Sequence, residues 1–287
     1  MRILVTGGTG QVGTELQRIS WPAGTAVLAP GRDQLDLAAP QDLAAALDRC
    51  APDVLVNCAA YTAVDKAESD TDAAMAVNAA APEAMARWCT DHGAALIQLS
   101  TDYVFDGTKP APYVEDDPTG PLNVYGRSKL AGEQAVRAAL ERHVILRTSW
   151  VYAAHGANFV RTMLRLGRER KELSIVADQH GCPTWAGDIA AVVTAITARI
   201  QAGTAEWGTF HYSGARPATW YDFAAEIFFP ERRPRPVLKP IPTAAYPTPA
   251  RRPASSVLDC GKIRRAYGVE AVPWQHSLAR VLSDLAT

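Results

Sequence analysis

The chain opens with Arg2-Ile3-Leu4-Val5-Thr6, a short apolar run with strand character, and passes at once into Gly7-Gly8-Thr9-Gly10-Gln11-Val12-Gly13. A strand that breaks into a glycine-rich turn and restarts as a helix fits very few folds. The spacing is GxxGxxG rather than the stricter GxGxxG, yet the needs it meets are alike: a tight turn, close backbone approach to phosphate, and close helix–strand packing. A turn so placed offers the N–H groups of a helix N-terminus to a dinucleotide pyrophosphate. Gly7, Gly10, Gln11, Val12 and Gly13 are therefore the first candidate cofactor residues.

The rest of the N-terminal half reads as a sheet. Apolar runs recur at 3–6, 26–29, 54–57, 95–100, 144–148 and 173–176, with helix candidates between them at 11–19, 41–50, 72–92, 124–140 and 159–170. The runs are nearly continuous rather than alternating, as strands covered on both faces require. Strand–helix alternation of this kind predicts a Rossmann-like, doubly wound parallel α/β sheet with right-handed crossovers. After about residue 180 the character changes. Eight prolines fall within residues 230–254, which excludes a long regular element there, with helices expected at 188–201, 221–228 and 274–285. The division expected is a nucleotide-binding domain over 1–180 and a smaller substrate-binding lobe over 181–287, with room for the chain to cross between them.

Composition narrows the class. With 287 residues, 48% hydrophobic and 21% charged, the chain has the make-up of an ordinary globular protein with a sizeable core. A formal net charge of −1 gives no global reason to expect nucleic acid or an anionic membrane as partner. No apolar run approaches the roughly 20 residues of a membrane helix, and Ile3-Leu4-Val5 is too short for a signal-peptide core. A cytoplasmic setting is expected. The five cysteines are scattered without CxxC spacing, and the six histidines form no ligand cluster, so neither a disulfide framework nor a protein-bound metal is expected.

The second strand should end where an adenosine ribose is read, about 20 residues after the turn. Pro30-Gly31-Arg32-Asp33 stands there. Arg32 suits a 2′-phosphate and Asp33 a bare 2′-hydroxyl; the reading leans to NADPH through Arg32, with NADH open. Asp36 and Leu37 should lie near the adenine, and Ala59, Ala60 and Tyr61 near the nicotinamide-side ribose. Tyr125 and Lys129 stand at i, i+4, which puts a phenol and a cation on one helix face. A tyrosine of ordinary pKa near 10 becomes a useful proton donor when a cation stabilises the phenolate. The same ammonium can bond the nicotinamide ribose. Thr101, at the end of another strand, can help polarise a carbonyl.

These motifs resemble the extended short-chain dehydrogenase/reductase superfamily and, within it, the family of dTDP-4-dehydrorhamnose reductases. The resemblance runs over nearly the whole chain. It rests on TGGTGQVGTELQ at 6–17, PDVLVNCAAYTAVDKAE at 52–68, LSTDYVFDG at 99–107, PLNVYGRSKLAGE at 121–133, RTSWVY at 147–152, NFVRTMLRL at 158–166, DQHGCPT at 178–184 and AYPTPARRPASSVLD at 245–259. It implies that Tyr125 protonates the C4″ oxygen of dTDP-4-dehydro-β-L-rhamnose, with Lys129 its partner and Thr101 orienting the carbonyl, while NADPH supplies the hydride. It further implies that Asp102 and Trp150 contact the sugar, and that Asn158 and the Arg251-Arg252-Pro253 loop meet the dTDP end, where the guanidinium of Arg252 matches a pyrophosphate.

Some members of the family resemble one another in a Mg²⁺-bridged dimer. Glu15 matches one such carboxylate, but Gly187 stands where another belongs and Asp188 is displaced by one residue, about 100° around a helix. The expectation is a metal-free monomer or homodimer. Two other readings compete: a nucleotide-sugar 4-epimerase or 4,6-dehydratase that recycles a tightly held NAD⁺, and a non-catalytic regulatory subunit of the same fold. A dehydratase needs an acid–base pair beside its threonine, and here Asp102 is followed by Tyr103. A partner-binding subunit need not retain Thr101, Tyr125 and Lys129.

Overall fold

In the computed structural model, residues 1–229 and 236–286 are described. Two of the eight prolines, Pro230 and Pro234, lie outside the described residues. Five of the apolar runs form the strands of one parallel sheet: β1 (Arg2–Thr6), β2 (Ala26–Leu28), β3 (Val54–Asn57), β4 (Ala95–Thr101) and β5 (His143–Thr148). Their order across the sheet is β5-β4-β3-β1-β2, so the chain reverses its direction of travel between β1 and β3. The crevice beyond the carboxyl ends of those two strands is where open α/β sheets hold ligands. Both faces are covered, as continuous apolar strands demand. One is packed by the helices Gln11–Arg18, Ala186–Gln201 and Gly261–Tyr267, the other by Leu43–Cys50, Ala81–His92 and Val124–Ala139.

The sixth strand of the sheet is not the one the sequence suggests. Residues 173–176 belong to a strand, Glu172–Val176, that lies outside the sheet and pairs in parallel with Val237–Ile241. Its burial alternates, with Leu173 and Ile175 inward and Glu172 and Ser174 outward, the pattern of a strand covered on one face. The sixth place is taken by Gly208–His211, which pairs with β5. Only Phe210 and His211 of this short strand are buried, so it carries no apolar run to read. Residues past 180 thus contribute both to the sheet and to a third apolar cluster, where the helices Phe159–Glu169, Trp220–Ile227 and Trp274–Asp284 meet.

The helix expected over 72–92 is continuous in direction but changes pitch. Thr71–Met75 is α-helical, Ala76–Ala80 forms a π-turn, and Ala81–His92 resumes the α-helix. Such single-turn bulges inside α-helices often mark functional sites; here the turn contains the buried Asn78.

One buried ion pair joins the helix Val124–Ala139 to the sheet. The Glu133 carboxylate accepts hydrogen bonds from Ser100 Oγ (2.6 Å), Arg147 Nε (2.9 Å) and Nη2 (2.7 Å), and Arg137 Nη1 (3.1 Å). Despite full burial, these donors hold its pKa below the usual carboxylate value. Removing one partner leaves an uncompensated interior charge. Glu133→Ala is therefore expected to lower the unfolding free energy by about 3–5 kcal/mol, measured by urea denaturation. Arg165→Ala, which breaks an exposed pair with Glu169, should cost less than about 1 kcal/mol. Equal losses would show that the buried pair carries no more than a surface one.

Candidate active site

The glycine turn meets the steric demands its spacing implies. Gly7 has φ +67°, and a Cβ there would fall 2.8 Å from the backbone N of Ala59, so the end of β1 is pressed against the segment leaving β3. A Cβ on Gly13 would fall 2.2 Å from the Gly7 carbonyl oxygen. Gly10 is the helix N-cap and lends no side chain to the first turn, leaving backbone N–H groups to face an anion. The cradle fits a dinucleotide pyrophosphate. Val12 is buried among the core side chains, so only its backbone can serve there. Gln11 turns toward Asn158, whose Nδ2 donates to Gln11 Oε1 at 3.0 Å.

At the adenosine end, Arg32 is exposed and its Nε donates to Asp36 Oδ1 at 3.1 Å. Asp36 also accepts from Ala38 N at 2.9 Å, which with Arg32 holds its pKa down. Leu37 is buried in the core beside Leu35 and Leu43. Across the crevice, Ala59, Ala60 and Tyr61 leave β3, and the Tyr61 ring packs with Tyr125 on the cluster of Ala67, Ala74 and Val124.

Tyr125 and Lys129 lie on the helix Val124–Ala139, capped by Asn123, whose Oδ1 accepts from Gly126 N at 2.8 Å. Tyr125 lies near Thr101, at the end of β4, closely enough for the threonine to act on its phenol. Burial raises the Tyr125 pKa to about 12; Thr101 opposes the rise and the Asp102 charge adds to it. The lysine is arranged differently from what its spacing suggests. Its Nζ donates to the Leu99 carbonyl oxygen at 2.7 Å, and the charge that acts on it is that of Glu133 rather than that of Tyr125. Burial lowers its pKa to about 8, the Glu133 carboxylate resisting.

Asp102 is buried with its Oδ1 accepting from Thr101 Oγ1 at 3.0 Å. Burial drives its pKa up to about 7, against opposing hydrogen bonds from Ser256, Thr101 and nearby backbone. Tyr103 follows, set edge-on to Tyr125 at 5.8 Å. It shares a cavity of about 710 Å³ with Gln179, Trp220 and Arg252. The Arg252 guanidinium is gripped by Asp65 through Nη1–Oδ1 (2.5 Å) and Nη2–Oδ2 (2.7 Å) and lies near Tyr103.

Trp150 has φ +47° and stacks on Trp220 with ring centroids 3.5 Å apart. Asn158 stands elsewhere. Its amide caps the helix Phe159–Glu169 and bonds Ala153 O and His155 O, so the structure places it against the glycine turn rather than on the cavity wall with Arg252. Sequence reasoning misses Asn78, Glu133, Tyr103 and Asp65. Glu133 has a signal, since it continues the Tyr125–Lys129 spacing by another four residues.

The carboxylates considered for Mg²⁺ have partners within the chain. Glu15 lies 3.5 Å from Arg18 Nη1 and 3.5 Å from His155 Nδ1. Asp188 accepts from Ser277 Oγ at 2.6 Å. A Cβ on Gly187 would fall 2.3 Å from the Trp185 ring, so a side chain there needs that ring to move. These residues do not fit an oxygen-ligated Mg²⁺.

A family model described as the RmlD substrate binding domain matches residues 1–287. This chain belongs to the dTDP-4-dehydrorhamnose reductase family. The dTDP-4-dehydrorhamnose reductase of Sinorhizobium fredii is 47% identical, over 98% of this chain and 97% of its own length. Among solved structures, the family member from Clostridium acetobutylicum superposes with a TM-score of 0.92 at 38% identity, covering all of both chains. The member from Bacillus anthracis, solved in complex with NADP, gives 0.90 at 35% identity and covers 99% of each chain.

Within this family member, the Asp102 carboxyl should titrate far from the ordinary aspartate range. The folded protein keeps a proton that the unfolded chain loses above about pH 4. Stability contributed by Asp102 is therefore full below that pH and lost as pH rises through about 7. Infrared difference titration of the wild type against Asp102→Asn should show a carboxyl midpoint near 7. A midpoint near 4 would contradict the burial argument.

Proposed function

We propose that the protein reduces the C4″ ketone of dTDP-4-dehydro-β-L-rhamnose to give dTDP-β-L-rhamnose, in dTDP-L-rhamnose biosynthesis, with NADPH as reductant. The observation that carries this reading is the approach of Tyr125 to Thr101 at the carboxyl end of β4, next to Tyr103, which lines a cavity together with Arg252. Residues 1–180 supply the glycine cradle, the dyad and most of the cavity wall, and residues 181–287 add Trp220, Arg252 and the segment between them. Arg252 suits the pyrophosphate, and Asp102 and Trp150 the sugar. Arg32 suits the 2′-phosphate. The NADP bound by the Bacillus anthracis relative agrees with that assignment. Among the described residues no helix is long and apolar enough to cross a membrane, and the reading places the enzyme in the cytoplasm.

Bound NADPH supplies a hydride to the ketone carbon. The protein's task is to deliver a proton to the oxygen as negative charge gathers there. Thr101 holds the oxygen against the Tyr125 hydroxyl, and Tyr125 gives up its proton, leaving a phenolate and an alcohol product. In a site that raises the Tyr125 pKa to about 12, the phenolate needs a nearby positive charge, and Lys129 one turn on carries it. That charge is present below about pH 8 and lost above. Tyr103 at the position after Asp102 leaves a dehydratase's acid–base pair incomplete.

The test is loss of nicotinamide absorbance with substrate generated in situ by the upstream dehydratase and epimerase, and with dTDP-rhamnose identified as product. Tyr125→Phe should lower turnover by about 10²–10⁴-fold with NADPH affinity retained; near wild-type turnover would overturn the assignment. The wild-type rate should fall as pH rises through about 8, and a profile flat to pH 10 would show that the Lys129 charge is not needed. Arg32→Ala should weaken NADPH but not NADH, whereas equal weakening would mean that Arg32 does not read the 2′-phosphate.

A further inference from the structure

We infer that His211 is a positioning residue for the reduction: its imidazole accepts a hydrogen bond from the Arg147 guanidinium and so completes the clamp that holds the catalytic helix by Glu133. The sheet itself sets up the contact. Ser100, Arg147 and His211 are register partners across β4, β5 and the strand Gly208–His211, so their side chains form a row on one face. The helix Val124–Ala139 covers that face, and its Glu133 meets the row at Ser100 and Arg147. Arg147 directs Nε and Nη2 at the two Glu133 oxygens. The protons of Nη1 remain. One is directed at Glu115 O at 3.3 Å and the other at His211 Nε2, also at 3.3 Å.

Neither ring nitrogen of His211 has a choice of role. Nδ1 lies 3.1 Å from Tyr113 O, an acceptor only, so Nδ1 carries the hydrogen. A guanidinium nitrogen only donates, so Nε2 must offer its lone pair. The ring is therefore neutral and in the Nδ1–H tautomer. A second proton would set imidazolium against guanidinium. The charged side chains that face the ring are Arg147, Glu133 and Lys262, while Glu115 Oε1 accepts from the His211 backbone N at 2.9 Å. Burial, with the Arg147 charge behind it, holds the His211 pKa down to about 3. Phe105 closes another side, edge-on to His211 at 5.7 Å and 5.1 Å from the Arg147 guanidinium. Tyr113 gives the contact its reach. It lies midway in the segment that leaves Thr101 and returns to Tyr125, and its carbonyl also receives Asp259 N at 2.8 Å. The segment joining the two hydroxyl residues of the site is thus tied, through one buried imidazole, to the ion pair that orients the helix.

This inference rests on the reductase reading for its rate measurement, but not for its tautomer measurement. In wild type, long-range nitrogen–proton correlation NMR should show Nδ1 protonated and Nε2 bare between about pH 5 and 8. The signal lost in His211→Gln identifies the ring. His211→Phe keeps a ring without the lone pair, and His211→Gln returns an amide oxygen to the place of Nε2. At saturating ligands, His211→Phe should slow single-turnover hydride transfer about tenfold with NADPH affinity within about twofold, the order expected for slightly misplaced reacting groups. His211→Gln restores the acceptor for Arg147, so its rate should return to within about threefold of wild type. Amide hydrogens of Val124–Ala139 should exchange about tenfold faster in His211→Phe, while those of Gln11–Arg18 keep their wild-type rates. An Nε2–H ring or an imidazolium in that pH range would overturn the proposal, since neither can accept from Arg147. So would a wild-type rate in His211→Phe, or a His211→Gln protein as slow as His211→Phe. Equal acceleration of exchange in both helices would reduce His211 to a structural role and overturn it as well. If His211→Phe does not fold, the wild-type tautomer and the His211→Gln rate decide the matter. An inactive wild type would sink the reductase reading, while the tautomer and the exchange rates still decide the clamp.

Discussion

The Glu133 carboxylate is the point to which the catalytic helix is referenced. A buried anion is tolerated only when its lone pairs are filled, and Glu133 fills them from three directions: Ser100 on β4, Arg147 on β5 and Arg137 on its own helix. Satisfying that charge fixes the rotation of the helix against the ends of two strands. Once the rotation is fixed, Tyr125 and Lys129, two turns and one turn earlier on the same face, must point at the mouth of the sheet. Thr101, adjacent to Ser100, is then brought close to Tyr125. The catalytic contacts are a consequence of a structural one.

A second polar path crosses the strand ends below the site. Thr6 Oγ1 donates to Asn57 Oδ1, Asn57 Nδ2 to Gln98 Oε1, and Gln98 Nε2 to Leu99 O, the same carbonyl that receives Lys129 Nζ. Each residue here is almost fully buried. Buried networks of this kind rigidify when every member is satisfied. The path links the strand that delivers the glycine turn to the lysine of the dyad. The cofactor cradle and the proton donor are thus held in one frame.

Local chemistry is legible in the sequence where it depends on spacing. The glycines at 7, 10 and 13, the i, i+4 dyad and five of the six sheet strands all rest on short-range patterns. The strand at 172–176 is assigned to the wrong sheet because an apolar run shows that a strand is buried but not which sheet buries it. Gly208–His211 carries too few apolar residues to announce itself. Helix geometry sets Lys129 beside Tyr125, yet a four-carbon stem reaches Leu99 O, a contact that only the packing of helix on strand creates. Asn78 stands in an alanine-rich stretch with helical periodicity, and nothing local marks a π-turn. Asn158 caps a helix and bonds Gln11 of the glycine turn. Its role is set by neighbours far away in sequence.

Direct, one-way transfer of hydrogen from the nicotinamide to the sugar carbon is the central claim. The most direct measurement traces the label: NADPH deuterated on one face at nicotinamide C4, turned over with the 4-keto sugar nucleotide, and the product examined by proton NMR. Deuterium is predicted at C4″ of the dTDP-sugar from only one of the two labelled faces, with one NADPH consumed per product. Product formed without deuterium at C4″, or without net oxidation of NADPH, would contradict the claim and turn attention to an enzyme that recycles a bound NAD⁺.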